Sequence, residues 1–123
     1  MSFKYNSRID FVKDFVDFVE QSCDENSNIG YRMVCGRLYY ALYHKAVYDN
    51  GFTNESGSMH GHIKNNITAN NLRNHYLMFY RLRQWADYEV DDIKKEYFKG
   101  KKQLVSLCKS LLDKKLKCRG LGR

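Results

Sequence analysis

Twenty consecutive residues, 31–50 (YRMVCGRLYYALYHKAVYDN), carry apolar side chains at helical rather than alternating spacing, with no proline and Gly36 as the one internal glycine. Met33, Tyr40, Ala41 and Val47 set that spacing, with Cys35 and Leu42 beside them. A helix of this length is the element that the remainder must pack against. The remainder is built for the same purpose. Zero proline in 123 residues, with only short Gly/Asn/Ser clusters, predicts helices joined by brief loops.

Four further segments follow from the same periodicity. The spacing predicts a helix over about 7–22, where Ile9, Val12, Val16 and Val19 form one stripe. Phe11, Phe15 and Phe18 widen that stripe over half the circumference, which calls for packing on both sides, as in a bundle. Residues 24–28 are a polar break, and 51–58 (GFTNESGS) form the clearest loop. A short helix is expected over about 60–69, with Ile63 and Ile67 at i, i+4, in a stretch weakened by four asparagines. Leu72, Tyr76, Phe79, Leu82 and Ala86 mark a helix over 72–88. After a connection ending at Asp92, a candidate cap, a last helix is expected over 93–116, with Gly100 marking a bend. Residues 118–123 read as a frayed basic tail. The expected fold is all-α: an up-and-down bundle of four long helices plus one short one, in a single domain spanning 1–123.

At 43% apolar content the chain supports one modest core. It has no run of about 18 apolar residues that would span a membrane. The first seven residues lack the apolar segment of a secretory signal. The four cysteines, Cys23, Cys35, Cys108 and Cys118, are scattered without a C-x-x-C pair, which favours reduced thiols and a cytoplasmic setting over disulfides or zinc. The net charge of +7 is concentrated late, among Lys94 to Arg123. It suits an anionic partner such as nucleic acid, and equally a plain solvated face.

Chemistry has four places to reside. Arg37 and His44 lie seven residues apart, about two turns, so both leave one face roughly 10 Å apart along the axis. In metal-independent RNA cleavage a base takes the 2′-hydroxyl proton, a cation stabilises the phosphate, and an acid protonates the leaving 5′-oxygen. Histidine suits the proton transfer and arginine the phosphate. One such pair supplies part of the set, so two copies facing each other across a homodimer would serve better. The plain alternative is a core or surface His44 and an Arg37 paired with an acid. Arg83 and Asp87, at i, i+4, suggest a helical ion pair, with the further option that Asp87 reaches across and orients Arg37. His60 and His62 lack nearby ligands at metal spacing, so His60 is read as a phosphate contact, a loop-ordering group or a surface histidine. The tyrosines of 31–50 and 72–88 can stack on unpaired bases. Tyr40 and Tyr88, on apolar stripes, read instead as structural.

Residues 37–44 (RLYYALYH) resemble the R-x-Y-Y-A-x-F-H helix of the HEPN superfamily (higher eukaryotes and prokaryotes nucleotide-binding), in its Y-Y-A form. Two further matches follow in the family's order: Ser58-Met59-His60, and Arg83-Gln84-Trp85-Ala86-Asp87-Tyr88, like R-x-x-A-D-Y. The resemblance implies a small helical bundle that dimerises through the helices carrying the Arg and His. Many members are metal-independent ribonucleases with an R-x(4–6)-H motif, acting in toxin–antitoxin, CRISPR-associated or antiviral defence. Others, particularly of the Y-Y-A form, are non-catalytic partners of a nucleotidyltransferase. Leu38 stands where the nucleases carry a polar residue, and Ala46 where toxin members carry a modifiable tyrosine.

The expectation is therefore a homodimeric endoribonuclease without cofactor or metal. Arg37 would be its phosphate ligand and His44 its general acid or base. Asp87 and Tyr40 would stand behind them, and Lys45, His60 and Arg83 would contact RNA. The rival is a module that binds a nucleotidyltransferase or another defence protein.

Overall fold

In a computed structural model, which describes residues 3–52 and 57–120, five α-helices run in the order α1 (Arg8–Ser22), α2 (Asn28–Asn50), α3 (Gly57–Asn66), α4 (Asn70–Tyr88) and α5 (Lys101–Leu112). A 3-10 turn, Lys95–Tyr97, lies between α4 and α5. No strand is formed among the described residues, although an isolated antiparallel bridge joins Ile67 to Cys118.

Helix ends are set by local chemistry. Ser7 caps α1 by accepting from the Asp10 amide, and Ser27 caps α2 by accepting from the Gly30 amide at 3.0 Å. Gly51 closes α2 in the left-handed region, φ 65°, where a side chain would be strained. Gly30 is required for another reason: a Cβ there would lie 1.9 Å from the Asp24 carbonyl oxygen. The C-terminus of α4 is capped from outside. The Arg32 guanidinium donates to the carbonyls of Trp85, Ala86 and Glu89, at 3.2, 3.1 and 2.5 Å, and lies over the Trp85 ring. Of these, the Ala86 carbonyl is one that the helix end leaves unpaired, whereas the Trp85 carbonyl also accepts from the Glu89 amide at 3.0 Å.

α2 is the central element, packed against α1, α4, α5 and α3. Its buried residues include Leu38, Tyr39, Ala41, Leu42, Tyr43, Ala46 and Val47, which between them cover all but about a third of the circumference. Val12, Val16 and Val19 of α1, Tyr76, Phe79 and Leu82 of α4, and Leu104, Val105, Cys108 and Leu111 of α5 close around it in one cluster. All four cysteines are buried and free.

The structure departs from the expected elements in three places. The last helix starts at Lys101, not at residue 93, and has 12 residues; Gly100 is its N-cap rather than a bend. Ile93 and Tyr97 do have helical spacing, but tertiary contacts hold this stretch open. Tyr31 donates to the Lys99 carbonyl at 2.6 Å and stacks on Phe98, and the Trp85 indole donates to the Asp91 carbonyl. α1 does pack against both α2 and α5, but the phenylalanine edge of its apolar face is not fully covered, and Phe18 is 46% exposed. The expected tail is partly anchored, with Cys118 buried; residues 121–123 lie outside the described residues, as do 53–56 of the expected loop. No described helix is long and apolar enough to cross a membrane.

Candidate functional site

Because α2 is enclosed on most of its circumference, few of its residues reach water. Apart from Arg32 and the helix ends, they are Met33, Arg37, Tyr40, His44 and Tyr48, continuing the line of Ile29. Their spacing of three or four residues confines them to one stripe about 100° wide. Both residues of the Arg37–His44 pair are therefore on the single face of the central helix that meets solvent.

Phe15 of α1 lies between them. Its ring centroid is 5.9 Å from the Arg37 guanidinium carbon and 6.3 Å from the His44 ring. Phe11 meets the same imidazole edge-on at 4.8 Å. Arg8, the first residue of α1, places Nη1 2.7 Å from His44 Nδ1. A guanidinium has only donors, so Nδ1 must accept and the proton of the neutral ring sits on Nε2. In this state His44 cannot take up a proton at Nδ1 unless Arg8 withdraws.

Arg37 is different. Among the described residues no hydrogen bond or ion pair engages its guanidinium. It lines a cavity of about 210 Å³ together with Met33, Gly36, Tyr40, Ala86 and Asp87. Asp87 does not reach across to orient it. The carboxylate instead lies 2.9 Å from Nε of Arg83, one turn back on α4. That contact is electrostatic, since the Nε–H is not aimed along it and has no hydrogen-bond acceptor. Arg83 donates from Nη2 to the Tyr40 hydroxyl at 2.9 Å and stacks over the rings of Tyr39, Tyr40 and Tyr88. Burial alone would lower the pKa of Arg83, but Tyr40, Tyr88 and Asp87 outweigh it and the net direction is upward. The guanidinium stays charged.

His60 arrives from α3. Its ring stacks on Tyr43 at 4.0 Å and lies 6.2 Å from Tyr40, and Nδ1 is 2.7 Å from the Tyr39 hydroxyl. The fold thus gathers Arg37, Tyr40 and His44 of α2, His60 of α3 and Arg83 with Asp87 of α4 around the Tyr40 ring. Arg8 joins this set, and no pattern in the sequence links it to His44. Three guanidinium groups face one carboxylate, which favours an anion.

Two expected residues stand elsewhere. Lys45 is 8% exposed, and its ammonium is held by Asp49 at 2.6 Å and by the Lys114 carbonyl at 2.7 Å. It is a buried structural cation about 110° round α2 from the centre of the wet stripe, so it is withdrawn from the RNA-contacting set. Tyr88, expected to be a structural residue of the core or of a dimer interface, is 66% exposed at the end of α4 and so lies outside the core. No protein-family model matches the chain, and neither a curated protein nor a solved structure does.

Proposed function

We propose that this chain is a HEPN-like, metal-independent endoribonuclease of a defence or toxin–antitoxin system, whose site is assembled from the α2 stripes of two copies. The observation that carries this reading is the partial exposure of Arg37 and His44 on the one wet stripe of the central helix, with no acid paired to Arg37 among the described residues. Arg37 binds a non-bridging phosphate oxygen. The 2′-oxygen forms a bond to phosphorus as the bond to the 5′-oxygen breaks. His44 of one copy accepts the 2′-hydroxyl proton once Arg8 has moved aside, and His44 of the other donates a proton to the leaving oxygen.

Apolar side chains around the pair supply a reason for a second copy to dock there. Ile29, Tyr48 and Phe18 are 67%, 53% and 46% exposed, and Met33 and Phe15 are only partly covered. His60 and Arg83 lie beside the cleft, where a strand of RNA passes.

One observation favours a second reading. The hydrogen bond from Arg8 occupies the only lone pair of the His44 ring, as suits a non-catalytic module that presents the same face to a nucleotidyltransferase or another defence protein. A single experiment separates the two. The purified chain is incubated with single-stranded RNA in EDTA, beside His44→Ala checked for folding by circular dichroism. Cleavage to cyclic-phosphate ends, lost in a folded variant, supports the nuclease; intact RNA with both proteins, alongside a tight co-purifying partner, supports the module.

A further inference from the structure

Beyond α5 the described residues, as far as 120, do not fray. Lys114 to Arg119 cross the C-terminal end of α2 as a strap pinned on both sides. On the α2 side, the Leu116 amide donates to Asp49 and the Cys118 amide to the Asn50 side-chain oxygen, each at 2.8 Å. The Asn50 amide group returns a bond to the Leu116 carbonyl at 2.8 Å. On the side of the α3–α4 junction, the Thr68 amide donates to the Lys117 carbonyl, and the Arg119 amide to the Asn66 carbonyl, both at 2.9 Å. These are the bonds around the Ile67–Cys118 bridge.

Anchoring imposes an alternation. Leu116 and Cys118 are buried at 0% and 7% exposure, whereas Lys115, Lys117 and Arg119 are exposed. Residues two apart on an extended segment share a face and repeat every ~6.6 Å. Their three side chains enter no ion pair among the described residues. The neighbouring Asp49 carboxylate is turned inward, onto Lys45 and the Leu116 amide. The result is a row of three cations on an immobilised backbone, spaced on the scale of successive phosphates along an extended single strand.

We propose that this strap is a phosphate ladder that holds single-stranded RNA along its sugar–phosphate backbone, independently of base sequence. It names the binding track of the RNA activity proposed above and rests on that reading for the identity of its polyanion. A fixed ladder gives up little conformational freedom on binding, unlike lysines on a mobile tail.

Binding is measured rather than cleavage, by fluorescence anisotropy of a labelled single-stranded oligoribonucleotide across a salt series. The full chain carries His44→Ala so that the probe survives. Replacing Lys115, Lys117 and Arg119 by Gln is expected to weaken binding and make the log–log salt slope shallower by about 2, at about 0.7 for each phosphate no longer neutralised. The control removes the same charge elsewhere, with Lys94, Lys95 and Lys102 replaced by Gln, and should leave the slope nearly unchanged. Asn50→Ala keeps every charge and removes two of the bonds that pin the strap, loosening its α2 side; a folded Asn50→Ala protein should bind more weakly. Equal weakening in the two triple variants overturns the ladder in favour of diffuse net charge. No binding of RNA by the parent overturns it too, as does retention on phosphatidylserine vesicles without retention of RNA. Cleavage by the natural chain with indistinguishable triple variants sinks the ladder alone; a specific strap effect without any cleavage sinks the nuclease alone.

Discussion

Arg8 and His44, 36 residues apart in sequence, meet through a hydrogen bond of 2.7 Å that fixes the imidazole proton on Nε2. The contact places a cation at the first position of α1, where the helix dipole disfavours positive charge, and Asp10 in the same turn supplies the opposite sign. It also couples the start of the first helix to the titratable group of the central one.

Removing that cation should lift the constraint that Arg8 places on Nδ1. Arg8→Ala is expected to mix the two neutral tautomers of His44, visible in the nitrogen shifts of a histidine-labelled sample. If His44 is a base in catalysis, cleavage should speed up. A slower reaction with the same spectral change would assign Arg8 to the substrate.

Arg37 is expected to act through its fork. Arg37→Lys keeps the charge but cannot donate two parallel hydrogen bonds, and should lower the cleavage rate by about 10²-fold with little effect on the melting temperature. It is partly exposed and has no hydrogen-bonded or ionic partner among the described residues, so the fold depends little on it. A large drop in stability would show that it is a structural group after all.

Lys45 should behave in the opposite way. Its ion pair with Asp49 is buried, with side-chain exposures of 9% and 7%. Asp49→Ala strands the ammonium and removes the acceptor of the Leu116 amide, a cost of about 3 kcal/mol in denaturant unfolding. Lys45→Met removes the charge instead of stranding it, and should cost less.

Alkaline pH should erode the stability of the fold. Burial pushes the thiols of Cys35 and Cys108 up from the ordinary 9.0 to about 12, and that of Cys118 to about 11. Burial raises the phenols of Tyr39 and Tyr76 as well. The folded state thus holds more protons than the unfolded one above pH 9, so this part of its stability is intact below pH 9 and falls from there towards 12. Urea midpoints measured across that range report the slope. The same burial predicts that iodoacetamide labels the cysteines only after unfolding.

The helices before residue 90 are legible in the sequence because each carries its own apolar stripe; observed ends differ from the expected ones by only a few residues. α5 reads too long because Ile93 and Tyr97 have helical spacing while Tyr31, more than 60 residues earlier, decides the backbone there. The tail reads as frayed although Lys115-Leu116-Lys117-Cys118-Arg119 alternates polar with apolar, a period-two signal in plain view. Lys45 resembles surface charge because sequence does not reveal which face of α2 is enclosed; Asp49 at i+4 is the available hint. The Arg37–His44 spacing is readable as geometry, whereas the Arg8 contact depends on how α1 docks.

The enclosure of α2 has a consequence for variation along it. Substitutions facing α1, α4 or α5 disturb several neighbours at once, whereas Met33, Arg37, Tyr40 and His44 are only partly buried and Tyr48 is exposed. A saturation scan scored by cellular abundance should therefore show tolerance recurring every three or four positions. Scored by phenotype instead, a narrow intolerance at Arg37 and His44 within that permissive rhythm would separate what the chain needs for its work from what it needs to fold.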